Sequence, residues 1–146
     1  MAENVLFDLL GGRQAIGKKV ARGLDFDAEI RRGFRHQVFL SFKTKTRLSN
    51  SVLSRVLGLS ARSIDRLALL NGAARMGPVV SDRLYRTAKI VALAENVMED
   101  RDQALEWLSS KQRGLGDRKP FDLIETEAGT REVEEELERI EHGFVA

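Results

Sequence analysis

Residues 54–67 read SRVLGLSARSIDRL, and this stretch decides the fold. A helix-turn-helix needs in its turn a residue that tolerates a positive φ, and Gly58 supplies that freedom. Four positions earlier the two helices cross closely, which suits the small side chain of Ser54. The apolar residues Leu57 and Leu59 flank the turn. This spacing predicts two helices joined at Gly58 as a helix-turn-helix.

The second helix of this motif is predicted from its start and from its buried face. Ser60 is a good N-cap, because a serine hydroxyl accepts a hydrogen bond from the free N–H groups at a helix start. The motif buries positions six and nine after the turn glycine, which are Ile64 and Leu67. The alternative is an ordinary helical hairpin whose charged face is merely solvated.

The basic residues around the motif point to DNA. In a helix-turn-helix the N-terminal part of the second helix enters the major groove. Arg62 and Arg66 lie one turn apart, and an arginine fork meets guanine O6 and N7 or bridges phosphates. Asp65, on the same face, either accepts from cytosine N4 or pairs with one of these arginines. The residues predicted to contact DNA are Lys43, Lys45, Arg47, Arg55, Ser60, Arg62, Ser63 and Arg66.

Outside the motif the pattern favours helices. The acids of residues 25–29 suit the first turn of a short helix, because the helix dipole favours negative charge there. Ser49 is predicted to cap the first helix of the motif. Residues 79–97 form the longest predicted helix, and its segment 90–94 is apolar on all sides and therefore central. Residues 37–42 are ambiguous between strand and helix.

The C-terminal part also predicts short helices. Asp100 and Gln103 resemble a capping pair, and Pro120 suits the first turn of a helix. The last helix carries a stripe at 4, 3 and 4 residue spacing: Val133, Leu137, Ile140 and Phe144. The predicted fold class is all-α, with N-terminal helix-turn-helix DNA-binding helices joined by a long central helix to a small C-terminal helical region.

Charge is distributed unevenly although the formal net charge is only +2. Up to Lys89 the chain holds 17 basic and 7 acidic residues, and beyond it 7 basic and 15 acidic residues. A basic half and an acidic half suggest two different partners. The basic half could bind a polyanion, and the acidic half could bind a basic protein or mimic an anionic ligand. Charges that only solvate two helical faces would give the same count.

The composition excludes several classes of function. The absence of cysteine excludes disulfides, iron–sulfur clusters, thiol nucleophiles and cysteine zinc sites. His36 and His142 are too few for a polyhistidine metal site, and Gly11-Gly12 lacks the lysine and Ser/Thr of a phosphate-binding loop. We therefore expect no catalysis, no cofactor and no metal. No stretch approaches the ~20 apolar residues of a membrane span, so we expect a soluble cytoplasmic protein.

Several short motifs follow one another along the chain: residues 30–34 (IRRGF), 57–66 (LGLSARSIDR), 81–86 (SDRLYR), 104–108 (ALEWL), 120–129 (PFDLIETEAG) and 139–144 (RIEHGF). Together they reach from about Asp25 to the last residue. Taken in order, they resemble the motifs of Xre/MbcA/ParS-type antitoxins, the partners of RES-domain toxins in type II toxin–antitoxin operons. No single motif is specific, but the ordered set is.

The resemblance implies that the helix-turn-helix binds the promoter of its own operon, as a homodimer, and that the C-terminal region covers the toxin's active site. RES-domain toxins degrade NAD or transfer ADP-ribose from it. The implied division is an N-terminal extension over 1–24, a DNA-binding domain over 25–78 and a toxin-binding domain over 79–146. The implied toxin contacts are Glu125, Thr126, Arg131, Arg139, Gly143 and Phe144. The alternative is a stand-alone helix-turn-helix regulator whose C-terminal helices only dimerise.

Overall fold

The computed structural model describes residues 2–17, 23–70 and 73–143, and these stretches form a bundle of α-helices. Two isolated β-bridges, Arg35 to Arg75 and Gln112 to Arg118, are the only extended pairings in these stretches. The all-α prediction is confirmed. The helices are α1 (Ala2–Leu9), α2 (Gly12–Ile16), α3 (Gly23–Arg32), α4 (His36–Thr46), α5 (Asn50–Leu57), α6 (Ala61–Leu69), α7 (Pro78–Met98), α8 (Arg101–Leu108), α9 (Pro120–Leu123) and α10 (Glu127–Gly143), with a 3-10 turn over Arg113–Leu115.

Helix α7 is the centre of the bundle, as its apolar middle segment predicts. It packs against α1, α3, α5, α8 and α10. Ile90, Val91, Ala92 and Ala94 are each at most 1% exposed. A helix that is apolar on all sides has to be enclosed by other elements, and here helices from both ends of the sequence do so.

The helix-turn-helix forms as its caps predict. The Ser49 hydroxyl accepts a hydrogen bond from the Val52 N–H at 3.2 Å, and the Ser60 hydroxyl accepts one from the Ser63 N–H at 3.1 Å. Gly58 ends α5 in the left-handed region, with φ of 66°. These local bonds fix where α5 and α6 begin and end.

Two positions of α6 were predicted to be buried, and the structure buries one of them fully and the other only partly. Ile64 is fully buried, whereas Leu67 lies half-buried against the core. Leu69, two residues further, is 87% exposed. Because α6 packs against α4 and α5 rather than between two layers, the C-terminal half of the helix lies at the edge of the core.

The ambiguous segment at 37–42 is helical and lies inside α4. Val38, Phe39 and Phe42 are fully buried, a spacing of one and three that places them on one face of a helix. A strand would have sent Val38 and Phe39 to opposite faces. The helical periodicity, which distinguishes a helix from a strand here, becomes clear only when Thr46 is included, which is also buried.

The N-terminal residues belong to the core. Leu6, Leu9 and Leu10 are buried, and α1 packs against α7 and α4. The Asp8 carboxylate accepts from Lys45 at 3.0 Å and from Arg101 at 3.4 Å. Burial raises the pKa of Asp8, but the bonds from these two cations outweigh it and hold the pKa below its ordinary value of 3.8.

The C-terminal helices α8 and α10 complete the cover of α7. The Asp100 carboxylate accepts from the Gln103 N–H at 2.8 Å and caps α8, and Pro120 is the first residue of α9, as predicted. Of the stripe of the last helix, Val133 and Leu137 are fully buried in the core, whereas Ile140 is half-buried. Phe144, which continues that stripe in the sequence, lies outside the described residues.

Gly129 offers a test of this packing. A Cβ built on it lies 2.8 Å from the carbonyl carbon of Leu123 and overlaps the carbonyl oxygen. We expect Gly129→Ala to lower the free energy of unfolding by about 1–3 kcal/mol because of overpacking. The same change in an open helix gains about 1 kcal/mol. Urea denaturation followed by circular dichroism measures the difference.

Gly23→Ala is the matched control. Gly23 begins α3, and a Cβ built there meets no atom within 4 Å. This variant should be as stable as the wild type or slightly more stable. Equal stability of the two alanine variants would mean that the approach of Leu123 to Gly129 is not a constraint.

Candidate functional site

The first half of α6 presents a basic face to solvent. Arg62 and Arg66 are exposed and lie one helical turn apart. The ion pairs formed by described residues involve neither guanidinium. Both forks are therefore available to a guanine edge or to phosphates.

Asp65 lies on the same exposed face, and its partner is one that the sequence did not indicate. Its carboxylate accepts a hydrogen bond from the Asn50 side-chain amide at 3.3 Å. Asn50 is the first residue of α5 and Asp65 lies in the middle of α6, so this bond joins the start of the first helix of the motif to the second helix. The sequence offered pairing with Arg62 or Arg66, and the structure gives that role to Asn50.

Two of the predicted DNA contacts also build the site. The Ser60 hydroxyl caps α6 and donates to the Ser63 hydroxyl at 3.1 Å. Ser60 is exposed and Ser63 is half-buried at the start of α6. Their hydroxyls lie where the recognition helix would meet the DNA backbone, while they also hold the helix start in place.

Four of the predicted DNA contacts, Lys43, Lys45, Arg47 and Arg55, lie outside α6, and three of these four already bind acids within the chain. Lys45 donates to the Asp8 carbonyl oxygen at 2.6 Å as well as to its carboxylate. Arg47 donates to Asp102 of α8 at 3.1 Å. Arg55 forms an ion pair with Asp122 of α9. Lys43, the fourth, is half-buried in the last turn of α4.

The predicted toxin contacts do not form one cluster. Thr126 caps α10, because its hydroxyl accepts from the Gly129 N–H at 3.0 Å. Arg139 donates to Glu136 at 2.8 Å, and Gly143 is the last residue of α10. Glu125 is exposed in the short turn before this helix. Phe144 lies outside the described residues.

Arg131 lines a polar cleft of about 210 Å³ between α7 and α10. Lys89 and Glu134 approach to 3.9 Å across this cleft. Its walls carry both signs of charge, so it suits a polar peptide surface better than an apolar ligand. The lining residues are Asp82, Tyr85, Arg86, Lys89, Ile90, Glu127, Thr130, Arg131 and Glu134.

Arg83, which the sequence does not single out as a functional residue, reaches from α7 into the turn of the helix-turn-helix. Its guanidinium donates to the carbonyl oxygen of Leu57 at 3.2 Å. The only sequence signal for it is its place in the segment 81–86, where the order of the motifs, and not any chemistry, draws attention to it.

Within residues 2–17, 23–70 and 73–143, no group of three or more His, Asp or Glu residues is arranged to hold a metal ion. None of the helices described is both long enough and apolar enough to cross a bilayer.

Comparison with known proteins matches both halves of the chain. Residues 25–89 match the family model of the antitoxin Xre-like helix-turn-helix domain, and residues 93–143 match that of the antitoxin Xre/MbcA/ParS C-terminal toxin-binding domain. A Yersinia enterocolitica protein named Antitoxin Xre is 32% identical over 129 residues, which cover 88% of this chain and 86% of that relative. The chain belongs to the Xre antitoxin family. The family predicted from the ordered motifs is confirmed.

Two further Xre antitoxins match shorter stretches. That of Pseudomonas putida is 39% identical over 64 residues, covering 44% of this chain and 40% of the relative. That of Photorhabdus laumondii is 30% identical over 96 residues, covering 63% and 62% of the two chains. This Xre antitoxin therefore has a helix-turn-helix and a toxin-binding domain.

Two ion pairs cross between these matched regions. Arg47 and Arg55 lie in the helix-turn-helix region, and their partners Asp102 and Asp122 lie in the toxin-binding region. The side chain of Arg55 is 52% exposed and that of Asp122 is 34% exposed. Exposed pairs of this kind contribute at most about 1 kcal/mol, so a DNA phosphate can compete with the carboxylate for Arg55.

Asp122→Asn tests whether Arg55 is held back from DNA. Release of the guanidinium should tighten DNA binding by up to roughly five-fold, the factor that corresponds to an exposed ion pair. It should also steepen the slope of log K against log salt by about 0.9, as one more phosphate contact does. Fluorescence anisotropy with a labelled duplex over a salt series gives both values.

Asp117→Asn is the control because it makes the same charge change at an exposed position. Asp117 has a φ of 60°, which asparagine also tolerates. Its salt slope should equal that of the wild type. Equal gains in the two variants would show that net charge, and not Arg55, sets the affinity.

Proposed function

We propose that this Xre antitoxin neutralises a RES-domain toxin and represses its own operon through α6. One observation carries the proposal: an exposed, unpaired Arg62–Arg66 face on a capped recognition helix lies in the same chain as a toxin-binding domain. Such a chain can bring an operator and a toxin into one complex. The first half of the proposal concerns DNA and the second the toxin, and separate variants test them.

On DNA, the N-terminal part of α6 enters the major groove. Arg62 and Arg66 read base edges or bridge phosphates, while Lys43 and Arg47 contact the backbone nearby. Arg55 is a further phosphate contact that its ion pair with Asp122 holds back. Lys45 is bonded to Asp8, so it attracts DNA by its positive charge more than by a direct phosphate contact. A homodimer would place two copies of α6 on half-sites about 34 Å apart.

On the toxin, the acidic C-terminal half supplies the complementary charge. A cleft that binds an anionic dinucleotide such as NAD is expected to be basic, and beyond Lys89 the chain carries 15 acidic residues against 7 basic ones. In α10, Glu132, Glu135 and Glu138 are exposed and available to such a cleft. Glu125, Thr126, Arg131, Arg139, Gly143 and Phe144 are the proposed contacts.

The remaining features of the proposal follow from these two roles. The antitoxin acts in the cytoplasm, where its DNA and a toxin acting on NAD are found, as part of a type II system. It acts by binding and not by catalysis. We assign residues 1–24 to the N-terminal extension, 25–78 to DNA binding and 79–146 to toxin binding.

Arg62→Ala combined with Arg66→Ala tests the DNA half. The pair should weaken binding to the DNA upstream of the antitoxin's own reading frame by at least roughly ten-fold, because each bidentate contact is worth about 1–3 kcal/mol. Toxin neutralisation should be unchanged. Gel-shift titration and a growth assay with the toxin measure the two effects. Normal operator affinity and selectivity in the double variant would place the reading helix elsewhere.

Co-expression with the product of the adjacent gene tests the toxin half. A stable complex that restores growth supports neutralisation, and Arg131→Ala should weaken that complex by roughly ten-fold or more, as loss of a central interface arginine does. Arg118→Ala removes the same charge from an exposed loop and serves as the control. Tight promoter binding without any complex would leave a stand-alone regulator.

A further inference from the structure

The turn of the helix-turn-helix is held from outside the motif by one arginine. Arg83 lies in the second turn of α7, and its Nη1 donates to the carbonyl oxygen of Leu57, 26 positions earlier, at 3.2 Å. Leu57 is the last residue of α5. Because the C-terminal carbonyls of a helix have no partner within the helix, a donor from elsewhere has to satisfy them.

Gly58 leaves the space that the guanidinium fills. A Cβ built on Gly58 would lie 3.1 Å from Cζ of Arg83 and would collide with its Nη1. Gly58 also has a φ of 66°, which side chains rarely adopt. The left-handed turn therefore requires the glycine, and a side chain at this position would displace the guanidinium of Arg83 from the turn.

Three other carbonyls near the turn are satisfied within the motif. The Leu59 N–H donates to the Ser54 oxygen at 3.0 Å, and the Gly58 N–H donates to the Arg55 oxygen at 3.3 Å. The Ser54 hydroxyl donates to the Leu59 oxygen. The bond to Leu57 differs from these because its donor lies on another helix and is positively charged. A cation at a helix C-terminus is also favoured by the helix dipole.

This bond ties the recognition helix to the core. Helix α6 packs on α4 and α5, and the turn after Leu57 sets where α6 starts. Leu84 and Ala88, on the same helix as Arg83, are fully buried, so the base of the arginine is fixed. We propose that Arg83 is a positioning residue for operator recognition: it sets the place of α6 by holding Leu57 and Gly58. The proposal rests on the proposed operator binding.

The test compares Arg83→Ala, Arg83→Lys and Arg31→Ala. The probes are a duplex of the DNA upstream of the antitoxin's reading frame and a random-sequence duplex of equal length. Arg83→Ala should weaken binding to the upstream duplex by roughly ten-fold, the loss expected when a displaced α6 gives up one bidentate base contact. Arg83→Lys keeps a charged donor and should restore part of the affinity. Arg31 pairs with Asp27 on α3, so Arg31→Ala removes the same charge without touching the turn.

Two readouts separate positioning from other roles. A positioning residue that meets no phosphate leaves the salt slope unchanged, whereas loss of a phosphate contact lowers it by about 0.9 and weakens both duplexes alike. We expect an unchanged slope and a reduced ratio of upstream to random affinity. Arg83→Ala could instead lower the melting temperature and, well below that temperature, keep the wild-type affinity and the wild-type ratio of upstream to random binding. That result would show a purely structural role and would overturn the proposal.

A double-mutant cycle with Gly58→Ala gives a second, independent measurement. In the wild-type background Gly58→Ala costs both the strained φ and the collision with Arg83. In the Arg83→Ala background only the strain is left, so the combined loss of operator affinity should be at least roughly five-fold smaller than the product of the two single losses. Additive losses would mean that the two residues act separately and would overturn the proposal.

The result for the wild type separates this inference from the proposed function. If the wild type does not prefer the upstream duplex to the random one, operator binding fails and the positioning role fails with it. If the wild type does prefer it and Arg83→Ala keeps the same preference, only the positioning role fails. Toxin neutralisation by all three variants, measured by growth, should equal that of the wild type.

Discussion

Enclosure of α7 is the constraint on which the other helices depend. From Ile90 to Glu95 every residue of this helix is buried or half-buried, and Glu95 is there only because Arg101 pairs with it at 3.1 Å. Apolar surface of this extent is stable only when neighbours cover it. The neighbours come from the N-terminal α1 and α3, from α5 of the helix-turn-helix, and from α8 and α10 of the toxin-binding region. The two functional regions therefore share one core.

The features that the sequence predicts correctly are those set within a few residues. The caps at Ser49, Ser60 and Asp100 and the turn at Gly58 each depend on a single side chain or a single dihedral angle. The central position of α7 is also predicted correctly, because an apolar segment is visible in the sequence without knowledge of the helices that cover it. Segment 37–42 was harder, since a short apolar run carries too few turns to separate a strand from a helix.

Contacts between distant positions could not be predicted from the sequence. The bonds of Arg83 to Leu57 and of Asn50 to Asp65 join residues whose types give no hint of each other. The same holds for the pairs of Arg47 and Arg55 with acids of α8 and α9. Charge counting separates a basic half from an acidic half, but not which charges meet. The DNA contacts, the toxin contacts and the division of the chain after residue 78 stay predictions.

The shared core has a consequence for how such antitoxins diversify. If the two functional regions were independent, exchange of one half of the chain between relatives would be the simplest way to combine a new operator with a new toxin. A junction inside α7 would separate Arg83 from the buried face at Ile90 and Val91, and a junction before Pro78 would place a foreign helix beneath the turn at Gly58. Exchange of whole halves is therefore disfavoured. Under the proposed function, specificity is freer to change by substitution at exposed positions such as Arg62, Arg66 and the outer face of α10.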